Sequence, residues 1–182
     1  EYDDLANIYA TLPGTDPNAK RIIAGSHCDS VKNGGNYDGI LGVMSAMEAL
    51  ETIADQKIPH KHPMTAYIMT NEEGSLYPPA MMVSGILCND YLPPELAKNF
   101  KYEDMMAVPA MEKTFGEALE KSGYKGDKAN RMSPETCLCN FEAHIEQGPI
   151  LEDNDKEIGV VDCVLGMFNY SLIFTGFAAH AG

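Results

Sequence analysis

Residues 21–50, "RIIAGSHCDSVKNGGNYDGILGVMSAMEAL", decide the fold. They open on a short apolar run closed by a glycine, the pattern of a buried strand in a sheet covered on both faces. A loop containing "NGGN" follows. From Gly39 onward, Ile40, Val43, Met44, Met47 and Leu50 recur at helical spacing, with Asp38 placed to cap the first turn. The order is strand, loop, helix. "MTAYIMT" (64–70) is a second strand candidate, β-branched and aromatic, and it runs directly into "NEEG". Two such units in succession predict a three-layer α/β domain.

Outward from this centre the pattern loosens. Prolines at 78, 79, 93, 94, 109 and 134 punctuate short helical pieces such as "TFGEALEKSGY" (114–124), so residues 78–140 read as a long helical and loop excursion. "CLCNFEAHIEQG" (137–148) reads as a strand ending near His144, and "EIGVVDCV" (157–164) as another. The most apolar stretch, Val160 to Ala179, is broken by Asp162 and Asn169. It therefore predicts two strands and a turn rather than a membrane-spanning helix. A boundary is expected near Gly166, with residues 1–165 forming one domain and 166–182 beginning another.

Length and composition narrow the class. The 182 residues are 45% hydrophobic, enough for one well-cored domain, or one domain and part of a second. Twenty-seven acidic against thirteen basic residues give a formal charge of −14, which disfavours nucleic acid and anionic membrane as partners. The five cysteines are odd in number and lack C-x-x-C spacing, so neither a disulfide framework nor a zinc ribbon is indicated, and a reducing cytoplasmic setting fits. Cys137 and Cys139 are expected to share one strand face in the core. The chain opens at Glu1 and stops at Gly182 within a glycine-rich phrase, as a segment of a longer protein would.

The chemistry lies in a joint pattern. In a strand, residues i and i+2 point the same way, so His27 and Asp29 are expected side by side, an imidazole held by a carboxylate. Taken alone, H-x-D is equally a surface histidine beside an acid, and Asp38 equally a helix cap. Glu72 and Glu73 are adjacent carboxylates at a strand end, where open α/β sheets place their ligands. Two like charges there call for a cation; one could ligate while the other serves as general base. His27, Asp38, Glu73 and His144 thus form a nitrogen and oxygen donor set for one or two zinc, nickel, cobalt or manganese ions, with Asp38 able to bridge a pair. His60 and His62, in a proline-flanked turn, read as surface residues.

In this order, "GSHCDSVKNGGNYDGILGV", "NEEGS", "HIEQGPILE" and "GFAAHAG" resemble the amidase/hydantoinase/carbamoylase family of metal-dependent hydrolases, relatives of the aminoacylase and carboxypeptidase-like dinuclear enzymes. The resemblance spans nearly the whole chain, and "HIEQGP" is particular to this branch. It implies an aminopeptidase-like, three-layer αβα catalytic domain, cut off at the start of an α+β lid and dimerisation domain. It further implies a cytoplasmic homodimer with two divalent ions per complete subunit. The activity implied is hydrolysis of a carbamoyl C–N bond, not a peptide bond, in N-carbamoyl-L-amino acids, β-ureidopropionate or allantoate, releasing ammonia and carbon dioxide. On this resemblance His27, Asp38, Glu73 and His144 are metal ligands, with Asp38 the bridge. Glu72 is the general base and Asp29 the partner of His27. His180 contacts substrate as a catalytic residue of the lid, typically in the partner's active site, and Gln147 lines the substrate pocket. Two departures stand out: Leu76 and Tyr77 replace an arginine and a phenylalanine after "EEGS", and the family's last metal-binding histidine and its substrate-binding asparagine and arginine are expected beyond Gly182. The alternatives are a dinuclear peptidase or aminoacylase, or a non-catalytic metal-binding relative.

Overall fold

The apolar run does form a strand, and two others join it in parallel. The computed structural model describes residues 1–166, 170–180 and 182, which fall into two compact units, Glu1–Ile145 and Glu146–Gly182. In the first unit, β1 (Ile8–Leu12) is followed by β2 (Arg21–His27), α1 (Ile40–Asp55) and β3 (Met64–Met69). A helical excursion comes next, with α2 (Met82–Cys88), α3 (Pro94–Ala97) and α4 (Tyr102–Met106). A small hairpin of β4 (Pro109–Ala110) and β5 (Lys113–Thr114) leads to α5 (Phe115–Ser122), and β6 (Cys137–Phe141) closes the unit. The main sheet has the order β1-β3-β2-β6, with β2 parallel to both β3 and β6 and β1 antiparallel to β3. The result is a mixed α/β sheet.

Helix α1 packs on β2 and β3 through part of the stripe its sequence suggests, with Val43 buried and Ile40 and Leu50 half-buried. Gly42, Val43 and Ala46 are buried, whereas Met44 and Met47 are exposed. Small residues win because the helix comes close to the sheet: a β carbon on Gly42 would sit 2.8 Å from the Ser26 β carbon. Asp38 is not the cap either. The N-cap is Gly39, without a side-chain capping bond, because the Asp38 carboxylate is turned toward two imidazoles.

β1 is the strand that sequence periodicity did not flag, and a polar network fixes it. Asp3 is fully buried, and its Oδ1 accepts from the Leu5 and Asn7 amides at 2.9 and 3.0 Å. Its Oδ2 accepts from Asn7 Nδ2 at 2.9 Å and from the Tyr9 hydroxyl at 2.8 Å. Four donors on one carboxylate satisfy a group whose burial would otherwise be costly. Asn7 Oδ1 then accepts the Thr70 amide at 2.9 Å, and the Thr70 hydroxyl donates to the Ala6 carbonyl. The N-terminal segment is thereby locked to the end of β3, two residues before Glu72. Arg131 adds a two-pronged bond to Asp4, at 2.6 and 2.8 Å, joining residue 131 to the same segment.

The excursion carries its own core, in which Leu5, Met82, Val83, Ile86, Met105, Phe115 and Leu119 bury one another. The helix expected from "TFGEALEKSGY" is α5. Thr114 and Glu117 form a reciprocal capping box at its start, and Gly123 ends it in the left-handed conformation.

Two expectations need correction. Cys137 and Cys139 do not share a core face: Cys137 is half-buried and Cys139 exposed, because the ladder shifts register between Arg21↔Cys137 and Ile22↔Cys139. Among the described residues of the second unit, only α6 (Ile150–Asp153) is regular, its first amides bonded to the Glu146 carboxylate at 3.0 and 2.9 Å. Residues 157–164 do not form the expected strand. A strand needs a ladder of backbone partners, and residues 157–164 have none among the described residues; Val160 stays 93% exposed. The stretch from Val160 to Ala179, expected to hold two strands and a turn, includes positions 167–169, which lie outside the described residues. No helix among the described residues is long and apolar enough to cross a membrane.

The Asp3 network generates two expectations. Asp3→Ala strands several buried donors and should cost about 2–4 kcal/mol in urea unfolding. Burial first, then the Asp3 charge, push the Tyr9 hydroxyl far above its ordinary pKa of 10.0. The folded state therefore keeps a proton that the unfolded chain releases. The contribution of Tyr9 is full below that ordinary value and declines as pH rises past it. Urea melts between about pH 8 and about pH 11 should show a steeper alkaline loss of stability in the wild type than in Tyr9→Phe.

Candidate metal centre

The three parallel strands end at one edge of the sheet, and each releases acids or imidazoles there. His27 is the last residue of β2, Glu72 and Glu73 follow β3, and His144 follows β6. This carboxyl edge is where open α/β sheets bind ligands.

His27 is buried beneath a glycine. Gly39 has φ of +70°, and a β carbon on it would lie 2.5 Å from the imidazole ring, so conformation and space both require glycine there. The ring's Nδ1 is 2.9 Å from the Asp29 carbonyl oxygen, and the Nδ1 of His144 is 2.8 Å from the Ile145 carbonyl. A carbonyl only accepts, so both rings carry their proton on Nδ1 and present a lone pair on Nε2. Those lone pairs converge on one oxygen. Asp38 Oδ1 lies 3.1 Å from His144 Nε2 and 3.8 Å from His27 Nε2, and Glu72 Oε2 is 3.6 Å from His27 Nε2. Lone pairs facing carboxylate oxygens repel unless a cation or proton lies between them.

The donor set fits a divalent ion on a second count. Glu73 Oε1 is buried without a hydrogen-bond partner, a costly state for a carboxylate unless it ligates. Two groups, His27 with Asp38 and His144, and His27 with Glu72 and Glu73, bring one donor atom per residue within 4.8 Å of one another. Imidazole nitrogen with carboxylate oxygen suits zinc and its neighbours in the first transition row.

Asp29 acts differently from the sequence expectation. β2 stops at His27, so Asp29 is not beside it on a strand face. Its backbone carbonyl holds the ring, while its carboxylate stands 3.6 Å from Nδ1. That carboxylate instead accepts the Glu72 amide at 3.2 Å and the Glu73 amide at 3.0 Å. Asn71, left-handed at φ 52°, makes the turn that delivers the two glutamates, and its side chain donates to the Tyr77 carbonyl at 2.8 Å.

Burial pushes the Glu72 carboxyl above its ordinary value of 4.5; charge on His27 opposes this, and the carboxylates of Glu73, Asp29 and Asp38 add to it. Beside Glu72 and His27 opens a cavity of about 670 Å³, walled by Ile23, Tyr67, Met69, Met132 and Leu138.

Six of the eight singled-out residues, His27, Asp29, Asp38, Glu72, Glu73 and His144, thus lie at one edge of the first unit. Gln147 and His180 belong to the second unit. There Gln147 has a positive φ of 56°, and the ring of His180 accepts the Gly182 amide at 3.0 Å. His60 and His62 lie at the opposite sheet edge, half-buried, with ring nitrogens against the backbone carbonyls of Ile58, Pro13 and Lys20. Sequence reasoning did not find the Asp29 amide contacts or a bond between Ser26 and Glu142, because no local pattern marks a pairing across 43 or 116 positions.

This geometry has counterparts. The chain is 38% identical over 180 residues to an N-carbamoyl-L-amino-acid amidohydrolase of Rhizobium meliloti, matching 99% of this chain and 41% of that protein. It is 31% identical to an allantoate amidohydrolase of Bacillus subtilis, matching 100% of this chain and 42% of that one. A hydantoinase/carbamoylase family amidase from Burkholderia ambifaria superimposes with a TM-score of 0.72 at 35% identity, over 85% of this chain and 35% of its own. The chain therefore spans about two fifths of the length of the curated relatives it matches. Residues 7–118, from Asn7 of the Asp3 network to α5, match the peptidase family M28, and the chain belongs to that family, with the carbamoylase-type amidohydrolases its motifs resemble among its relatives.

Proposed function

We propose that the full-length protein is a metal-dependent amidohydrolase that cleaves a carbamoyl C–N bond in a small ureido acid: an N-carbamoyl-L-amino acid, β-ureidopropionate or allantoate. The observation that carries this reading is the convergence of two Nε2 lone pairs and two carboxylates at the carboxyl edge of the sheet. His27, Asp38, Glu73 and His144 would hold two divalent ions, zinc or else manganese, nickel or cobalt. The chemistry these ions supply when bound is polarisation of the ureido carbonyl and acidification of water.

The chain's own residues perform the proton work. Glu72, with its carboxyl already raised by burial, accepts a proton from the attacking water and returns it to the departing nitrogen. Water adds to the ureido carbon and one C–N bond breaks, giving the amine product, an amino acid where the substrate is an N-carbamoyl amino acid, and carbamate, which then loses its remaining C–N bond to give ammonia and carbon dioxide. Asp29 orients both sides of the reaction through its carbonyl on His27 and its carboxylate on the Glu72 and Glu73 amides. His180 donates to the developing oxyanion from the partner subunit's lid, and Gln147 lines the pocket; both roles rest on the motif resemblance.

Architecture completes the proposal. Residues 1–165 are the three-layer αβα, aminopeptidase-like catalytic part, and residues 166–182 begin the lid and dimerisation domain of a cytoplasmic homodimer. Five free cysteines agree with the reducing compartment. A peptidase reading is favoured only by the name of the matched family. That match ends at residue 118, before "HIEQGP" (144–149), whereas the amidohydrolase relatives match 99% or more of the chain.

Ammonia release from the three ureido substrates, beside cleavage of N-acyl amino acids and dipeptides, decides between these readings; release confined to the ureido set is expected. Glu72→Gln should lower kcat about 10²- to 10⁴-fold with metal content unchanged. His180→Ala should lower it about 10²- to 10³-fold, again without loss of metal. Chelation should abolish turnover and lower Tm, both restored by adding zinc, manganese or nickel.

A further inference from the structure

The strand ladder that carries His144 stops short of it. β6 pairs with β2 from Arg21↔Cys137 to Ala24↔Phe141 and no further, leaving residues 142–144 beyond the last backbone pair. A side-chain bond takes over at that point. Ser26, 2% exposed and immediately before His27, donates its hydroxyl to Glu142 Oε1 at 2.5 Å, and Glu142 stands two residues before His144. The bond thus joins the residues that flank the two imidazoles, across 116 positions of sequence. A third element closes on the same spot. A β carbon on Gly42 would lie 2.5 Å from the Ala143 carbonyl oxygen and 2.8 Å from the Ser26 β carbon, so the first turn of α1 abuts both segments.

We infer that Ser26 and Glu142 are positioning residues: their hydrogen bond replaces the missing ladder and sets the distance between His144 and Asp38, on which metal capture by this half of the site depends. The inference rests on the proposal that His144 is a ligand. A charge-assisted bond from a fully buried hydroxyl is directional and short, so it fixes where the following two residues begin. With it broken, His144 Nε2 has no fixed approach to the Asp38 oxygen that now lies 3.1 Å away.

The test uses full-length protein and measures cobalt(II) affinity and the visible cobalt spectrum, which reports ligand geometry, alongside Tm. Glu142→Ala and Ser26→Ala should each weaken binding about 10-fold or more and alter the spectrum, as loss of a group that orients a ligand does. The double variant should be no worse than either single one, because both remove the same bond. Glu142→Gln, whose amide oxygen still accepts, should recover most of the affinity. Wild-type affinity in Glu142→Ala, additive losses in the double variant, or no recovery in Glu142→Gln would each overturn the inference. His144→Ala serves as the control. If it leaves cobalt binding intact, the ligand assignment fails; if it weakens binding while Glu142→Ala does not, only the positioning role fails.

Discussion

Asp29 joins two strand ends with one residue, and the site depends on that junction. Its carbonyl accepts the Nδ1 proton of His27 and so sends the ring's lone pair outward. Its carboxylate accepts two consecutive amides and so fixes where Glu72 and Glu73 leave β3. Had the carboxylate taken the imidazole, as H-x-D suggests, the glutamate amides would have lost their acceptor. The backbone carbonyl frees the charged group for the harder task, since a carboxylate can hold two donors and a carbonyl in a tight turn usually faces one.

Around that junction, the fold supplies rigidity at some distance from the chemistry. The buried carboxylate of Asp3 organises the N-terminal segment, and through Asn7 that segment reaches the Thr70 amide at the end of β3. The packing of Leu5 with α2, α4 and α5 anchors the same segment in the excursion's core. The loop bearing the two glutamates is therefore braced from behind by Asn7 and from the front by Asp29. Such support on both sides is what a site needs if donor atoms are to stay within a few tenths of an ångström of a useful geometry.

The cluster also has an electrostatic logic. Four carboxylates, Asp29, Asp38, Glu72 and Glu73, crowd two imidazoles, and the raised carboxyl of Glu72 reflects burial first and then that crowding, against the opposing charge of His27. The arrangement is poorly balanced by protein alone and well balanced by divalent cations. A strongly negative chain, −14 overall, makes the same preference visible at the level of composition without locating it.

Much of this was legible in the sequence. The strand–loop–helix of residues 21–50, the strand leading into "NEEG" and the helical piece within 114–124 follow from local rules: hydrophobic runs, helical spacing and glycine turns each act within a few residues. The identity of the acids and imidazoles was equally plain, because residue type and strand-end position are sequence properties. What only the tertiary structure decided were relations across long separations. Asp38 faces two histidines instead of capping α1, Asp29 binds the glutamate amides, and Ser26 reaches Glu142. The buried face of α1 is set by glycine and alanine instead of methionine, because closeness of approach, which no helical period encodes, determines what fits. Residues 157–164 make the same point in reverse. They carry Ile158, Val160, Val161 and Val164, which strands favour, and a strand still requires a neighbouring backbone to bond.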